Sequence, residues 1–234
     1  MSAAQDSVAG RRIDLWIGGE TIAPGSGAYF DSLNPIDDSV YAQAALGTTD
    51  DMDRAVQTAH AAFAEYKNTV AKEREAWLSR AASLLEEQAD EFADILVDEI
   101  GSSISKARFE IGAAVAILRA AAGSTRMVSG KTMPSDTPGR FSMSVRSPVG
   151  VVAAITPFNV PLSKGVRLTA SPLAFGNTVV LMPSEQAPAL ALRLAKLYAD
   201  AGIPAGAFNV VTGLGHEIGD SLTTHPLVKV VTFT

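Results

Sequence analysis

Two spacings of hydrophobic residues divide the sequence. Over the first half, apolar residues recur every three or four positions in long stretches; over the second, short continuous apolar runs alternate with helical stretches. Ahead of both, residues 1–10 read as a frayed leader, Ile13 to Ile17 as a short strand, and Gly18-Gly19 as a turn. Asn34-Pro35 closes this first β-like segment. Three helices are predicted next. The first follows Thr48-Thr49-Asp50, which supplies an N-cap and first-turn acids, and carries Met52, Val56, Ala59, Phe63 and Tyr66 on one face. The second runs from about Ala71 to Ile100, with Trp77, Ala81, Leu84, Leu85, Phe92, Ile95 and Leu96 as its stripe and Gly101 as its stop. The third begins near Ser103 and repeats Ile104, Ala107, Ile111, Val115 and Leu118. Such stripes are what core-facing helices show.

Between Gly130 and Pro148 the texture changes. Ser, Thr, Pro and Gly cluster at Met133 to Gly139, and Phe141 to Arg146 alternates at period 2. That pattern predicts a strand or hairpin arm with an exposed face, whose partner is another subunit. From Pro148 onward the runs shorten. Strands are predicted at Val149 to Ile155, Thr178 to Met182, Phe208 to Val211 and Val228 to Phe233. Between them lie helices at Leu162 to Phe175, Ala187 to Ala201 and Gly215 to Thr223. Strands alternating with helices in this way predict a parallel, doubly wound sheet, which binds ligands beyond the carboxyl ends of its strands.

Composition narrows the chemistry. The 234 residues include no cysteine, so disulfides, thiolate zinc sites and cysteine nucleophiles are excluded within this chain. Hydrophobic residues at 47% and charged residues at 19% describe a globular chain. A net charge of −6, without a long basic run, argues against nucleic-acid binding. No run of 18 apolar residues is present, and the first ten residues lack the apolar core of a signal peptide. The expectation is a soluble cytoplasmic protein with no membrane partner.

Several motifs fail on context. Gly130-Lys131-Thr132 ends like a phosphate loop, but Pro134 follows where a helix should start. His216-Glu217 lacks a second histidine four residues on, no G-x-S-x-G elbow occurs, and the histidines at 60, 216 and 225 are scattered, so no metal site is predicted. Gly213-Leu-Gly215-His-Glu-Ile-Gly219 follows a strand and opens a helix. Its spacing is one residue longer than the dinucleotide fingerprint, so it reads either as a nucleotide contact or as a turn that needs positive φ. Ile155-Thr156-Pro157-Phe158-Asn159-Val160-Pro161 lies at the carboxyl end of the first buried strand. Two prolines stiffen this loop around Asn159, whose amide reads either as a helix cap or as a donor aimed at a developing oxyanion. Met182-Pro183-Ser184-Glu185 ends the next strand; Glu185 reads as a ribose-diol acceptor or as a first-turn acid.

These segments together are similar to the aldehyde dehydrogenase superfamily. The resemblance rests on Pro148 to Leu162, Ala174 to Glu185, Phe208 to Gly213, and His225-Pro226 with Val231 to Thr234, in matching order and spacing. It implies oxidation of an aldehyde to a carboxylic acid with NAD or NADP, by a cysteine nucleophile and a glutamate base. Asn159 falls on the oxyanion-stabilising asparagine. Ile155, Thr156, Pro157 and Phe158 fall beside the nicotinamide ribose and phosphates, and Met182, Ser184 and Glu185 on the adenosine-ribose contacts. Gly215 and Gly219 fall on the helix beside the adenine, and Phe233 and Thr234 open the next cofactor motif. The implied fold is α/β: N-terminal helices plus a partial Rossmann-like parallel sheet over residues 1–130 and 149–234, with part of an oligomerisation arm over 131–148. That arm implies a homo-oligomer.

Departures from the family pattern carry their own expectations. Lysine is usual where Met182 stands, which changes the cofactor contact, and Glu185 favours NAD by repelling a 2′-phosphate. Arg167 follows Asn159 on the next helix and is expected to border the substrate tunnel, loosely as in the benzaldehyde dehydrogenase branch. The family's cysteine and glutamate lie beyond Thr234. The chain is therefore expected to be a truncated, N-terminal half without a catalytic domain, inactive alone; the alternative is a non-catalytic nucleotide-binding or regulatory fragment.

Overall fold

The computed structural model describes residues 12–234, so the predicted leader lies outside the described residues. Among the described residues, eleven strands and seven helices follow in chain order. The predicted strand Ile13–Ile17 is two strands. β1 (Arg12–Ile13) and β2 (Leu15–Ile17) belong to different sheets, and the chain crosses between them at Asp14, whose carboxylate accepts from the Tyr29 hydroxyl at 2.6 Å. β2 turns back through Gly18-Gly19 into β3 (Glu20–Ile22). Both glycines have positive φ, +69° and +87°, which a two-residue hairpin loop requires.

β4 (Tyr29–Leu33) and β5 (Val40–Ala45) pair antiparallel, and β1 adds to β5 in parallel. Asn34-Pro35 thus opens a hairpin turn where the sequence suggested an end. β5 was not anticipated because alanine, which fills its buried positions 42, 44 and 45, is poor in strand propensity.

α1 (Thr49–Tyr66) starts on a reciprocal capping box between Thr48 and Asp51, whose carboxylate also accepts from the Gly25 N–H. The predicted second helix is kinked at Gln88 into α2 (Ala71–Glu87) and α3 (Ala89–Asp98). Arg193 braces the kink, donating to the Gln88 amide oxygen at 2.7 Å and to the Glu91 carboxylate at 2.5 and 2.8 Å. Gly101, with φ +69°, follows as the predicted stop. α4 (Ile104–Ser124) is capped by Ser103; its stripe is buried except for Ile104, which is exposed.

β6 (Lys131–Met133) and β7 (Ser142–Ser144) form a separate antiparallel hairpin. Beyond it come β8 (Val151–Thr156), α5 (Pro161–Ala174), β9 (Thr178–Pro183), α6 (Pro188–Asp200), β10 (Phe208–Val210), α7 (Gly215–Thr223) and β11 (Val228–Phe233). The central sheet runs β11-β8-β9-β10-β2-β3. Its first four strands are parallel, as predicted, and the hairpin β2-β3 extends it antiparallel.

Side chains alternate across the parallel strands. Val152, Ala154, Val179 and Leu181 face the layer built by α2 to α6, while Val151, Ala153, Val180 and Met182 face α1 and α7. Helices therefore cover both faces. β8, β9 and β10 are buried throughout apart from the partly buried Ile155, whereas β11 at the edge is largely exposed. From β8 the chain winds to β9 and β10 in one direction, then α7 returns on the opposite face to place β11 on the far side of β8. The winding reverses between β8 and β11, and such a reversal opens a crevice at the strands' carboxyl ends.

Candidate functional site at the strand carboxyl ends

Register sets the floor of the site. Ile155 on β8 pairs with Met182 on β9 and with Phe233 on β11, and Thr156 pairs with Pro183. The three residues stand in a row across the point where the winding reverses. Ser184 N–H donates to the Thr156 carbonyl at 3.0 Å, tying the two loops that follow. Across the reversal, Lys164 Nζ on α5 donates to Thr234 Oγ1 at 3.2 Å.

Phe158 and Asn159 are exposed, between Pro157 and Pro161. Asn159 does not cap α5: the N-cap position is Val160, and no side chain of this loop closes the first turn. The amide is thus held on a short, doubly proline-restricted loop and faces solvent. Ser184 Oγ accepts from Gln186 N–H at 3.2 Å, closing a local turn that leaves Glu185 exposed. Phe158, Glu185, Gln186 and Leu214 come from three successive strand ends and wall one cleft of about 560 Å³, whose opposite side is built by β4 and the end of α3.

Met182 is buried among the α1 and α7 side chains, and its Cε lies 3.7 Å from where a Cβ on Gly219 would stand. A thioether fills this spot by packing. Gly215 opens α7 into free space, with nothing within 4 Å of a Cβ there. Gly213 differs: φ is +156°, and an added Cβ would meet Ile218 Cδ1 at 2.8 Å and the Gly47 backbone. The turn reading holds for Gly213, while Gly215 and Gly219 have room around them. Arg167 is exposed on α5.

Two buried carboxylates beneath the site loops escaped the sequence reading. Glu110 on α4 is 2% exposed and accepts at Oε1 from Leu162 N–H at 2.8 Å and Ser163 N–H at 3.1 Å. Glu99, after α3, is 3% exposed and accepts from Ala189 N–H at 2.8 Å, Leu190 N–H at 3.0 Å and the Ser32 hydroxyl at 3.2 Å. Each carboxylate caps a helix that follows a site loop, α5 after Asn159 and α6 after Glu185. Burial pushes the Glu99 carboxyl up to about 7, against the pull of the two amides and the hydroxyl. Burial also raises Glu110; the Ser163 amide and the Lys106 ammonium, 3.5 Å from Oε2, pull the other way. A signal existed: Glu99 falls four residues after Ile95, and Glu110 three after Ala107, both on otherwise apolar stripes. Among the described residues no group of three or more His, Asp or Glu side chains could hold a metal ion, and no helix is long and apolar enough to cross a membrane.

The arrangement recurs in known proteins. The profile of the aldehyde dehydrogenase family matches residues 22–234. Vanillin dehydrogenase of Corynebacterium glutamicum is 40% identical over 219 residues, covering 93% of this chain and 45% of that protein. 2,5-Dioxopentanoate dehydrogenase of Saccharolobus solfataricus is 37% identical, covering 94% of this chain and 45% of that protein. The crystal structure of a NAD-dependent benzaldehyde dehydrogenase from Corynebacterium glutamicum superposes with a TM-score of 0.91 at 38% identity, covering all of this chain and 50% of that one. That of a salicylaldehyde dehydrogenase from Pseudomonas putida G7, complexed with salicylaldehyde, gives 0.91 at 29% identity over 94% of this chain and 46% of that one. The chain thus spans about half the length of the curated relatives it matches. On the sequence match and the shared α/β architecture together, the chain belongs to the aldehyde dehydrogenase family.

Proposed function

We propose that this chain is the N-terminal, cofactor-binding half of an NAD(P)-dependent aldehyde dehydrogenase that oxidises an aldehyde to a carboxylic acid. One observation carries the reading: the winding reverses between β8 and β11, beside the row Phe233, Ile155 and Met182, with Asn159 and Glu185 on the loops that follow. The residues fit a dinucleotide. Glu185 offers an exposed carboxylate to a ribose diol, and Gly215 and Gly219 leave open backbone along α7. When bound, NAD supplies the acceptor for the hydride that leaves the aldehyde carbon. In this reading the Asn159 amide donates to the oxygen on which negative charge develops during the reaction. Ile155 to Phe158 and Phe233-Thr234 flank the nicotinamide end, and Met182 and Ser184 sit with Glu185 at the adenosine ribose. An acidic side chain at 185 repels a 2′-phosphate and favours NAD over NADP. Aromatic aldehydes are the substrate class suggested by the vanillin, benzaldehyde and salicylaldehyde dehydrogenases among the relatives.

Residues 131–148 are proposed as part of an oligomerisation arm, and residues 1–130 with 149–234 as the partial cofactor-binding domain with its N-terminal helices. Calorimetric titration of the chain with NAD tests the main reading. Saturable binding is expected, with Glu185→Ala weakening it about 10-fold or more through loss of charge-assisted hydrogen bonds. No reduced cofactor is expected with any aldehyde, because the chain has no thiol to form the covalent intermediate. Absence of binding, or sustained turnover, would sink the respective claim.

A further inference from the structure

The segment that carries Asn159 has two anchors. At its start, β8 ends at Thr156, held to β9 through the Ser184 N–H. At its end, α5 begins with Pro161, which has no N–H to offer, after Val160 in a non-helical conformation (φ −143°, ψ 59°) with no capping side chain. The first two amides of the helix, Leu162 and Ser163, both donate to Glu110 Oε1. No residue within the loop replaces that contact, and Leu162 is itself buried, so its N–H has no solvent to fall back on. Glu110 Oε2, also buried, has no hydrogen-bond partner among the described residues. The Lys106 ammonium, one turn earlier on α4, lies 3.5 Å from that second oxygen as an ion pair, while Oε1 is turned toward the start of α5.

We propose that Glu110 is a positioning residue: reaching from α4 across 52 positions of sequence, it fixes the start of α5 and thereby the direction in which the Asn159 amide is presented. The inference rests on the assignment of Asn159 as the oxyanion donor for its relevance to the reaction. Its geometry stands apart from that assignment. An amide donor stabilises charge only if it is oriented beforehand, and a loop of four residues between two fixed ends has little freedom once both ends are held.

The test uses the whole 234-residue chain, labelled with nitrogen-15. Two resonance sets are read: hydrogen exchange at the Leu162 and Ser163 amides, and the side-chain NH2 cross-peak of Asn159. Glu110→Ala is expected to speed exchange at both amides at least about 10-fold, the loss of one charge-assisted hydrogen bond, and to shift or split the Asn159 cross-peak. Glu110→Gln keeps the shape and one acceptor, so it folds where alanine fails to, and is expected to move both signals in the same direction by less. Leu118→Ala, a buried truncation on the same helix, loosens α4 generally and is expected to leave the Asn159 cross-peak in place. Unchanged exchange, an unmoved Asn159 cross-peak in both Glu110 variants, or an equal shift in Leu118→Ala overturns the proposal. Neither readout involves cofactor or aldehyde, so a failure here leaves the role of Asn159 standing, and a failure of that role leaves this measurement intact.

Discussion

Glu99 sets two opposing forces against each other in one side chain. Removal from water favours its neutral form, while two helix-terminal amides and a serine hydroxyl favour the charged one, and burial wins by carrying the group from its ordinary 4.5 to about 7. The folded chain therefore keeps a proton at Glu99 that the unfolded chain releases. Its contribution to stability is fully present below about pH 4.5 and is lost as pH rises through about 7. Urea unfolding at pH 5 and pH 8 is expected to show a loss on the order of 2–3 kcal/mol from this group, a loss that Glu99→Gln removes. An equal pH dependence in both proteins would contradict this. At this scale the sequence was legible where chemistry sits on loops. Asn159 and Glu185 stood out as polar residues at strand ends, and the structure brings their two strand ends together through the Ser184–Thr156 hydrogen bond. The capping carboxylates were hidden, because a glutamate in a helix is ordinary until the partner of its stripe is known, and those partners lie 52 to 91 residues away.

Among the elements, α7 is the one whose sequence bears most directly on the cofactor reading. Gly219 lies in its interior, where glycine costs a helix roughly 0.5–1 kcal/mol relative to alanine. The added Cβ of Gly219→Ala would meet Met182 Cε at 3.7 Å, an ordinary contact, so the fold itself gives no reason for glycine there. The substitution is expected to raise the melting temperature by about 2 °C, read by calorimetry, and at the same time to weaken NAD binding. A stabilised variant with undiminished affinity would remove Gly219 from the cofactor site. The predicted α/β alternation beyond Pro148 corresponds to the elements found, since each buried run was bounded by Gly, Pro or Asn. Two N-terminal features were less legible. The kink at Gln88 depends on Arg193 from a distant helix, and β5 is written in alanine, which carries no strand signal of its own. The transfer of the chain from one sheet to another at Asp14 is likewise set by pairing partners far along the sequence.

For the whole molecule, the hairpin β6-β7 is the element whose exposed face bears on assembly. Phe141, Met143 and Val145 share one face at period 2 and are 73%, 58% and 69% exposed. A hairpin with such a face is marginal alone and gains stability by pairing. Sedimentation equilibrium is expected to show self-association of the chain, abolished by Met143→Lys with Val145→Lys; identical profiles, or a monomer before substitution, would remove the arm from the assembly. The same long view applies to the paired glutamates. Glu99 and Glu110 belong to the helical layer written in the first half of the sequence, and the amides they receive belong to helices written later. During synthesis from the N-terminus, the acceptors are therefore made before the donors that need them. Residues 149–234 transplanted to another scaffold would thus arrive with the ends of α5 and α6 uncapped.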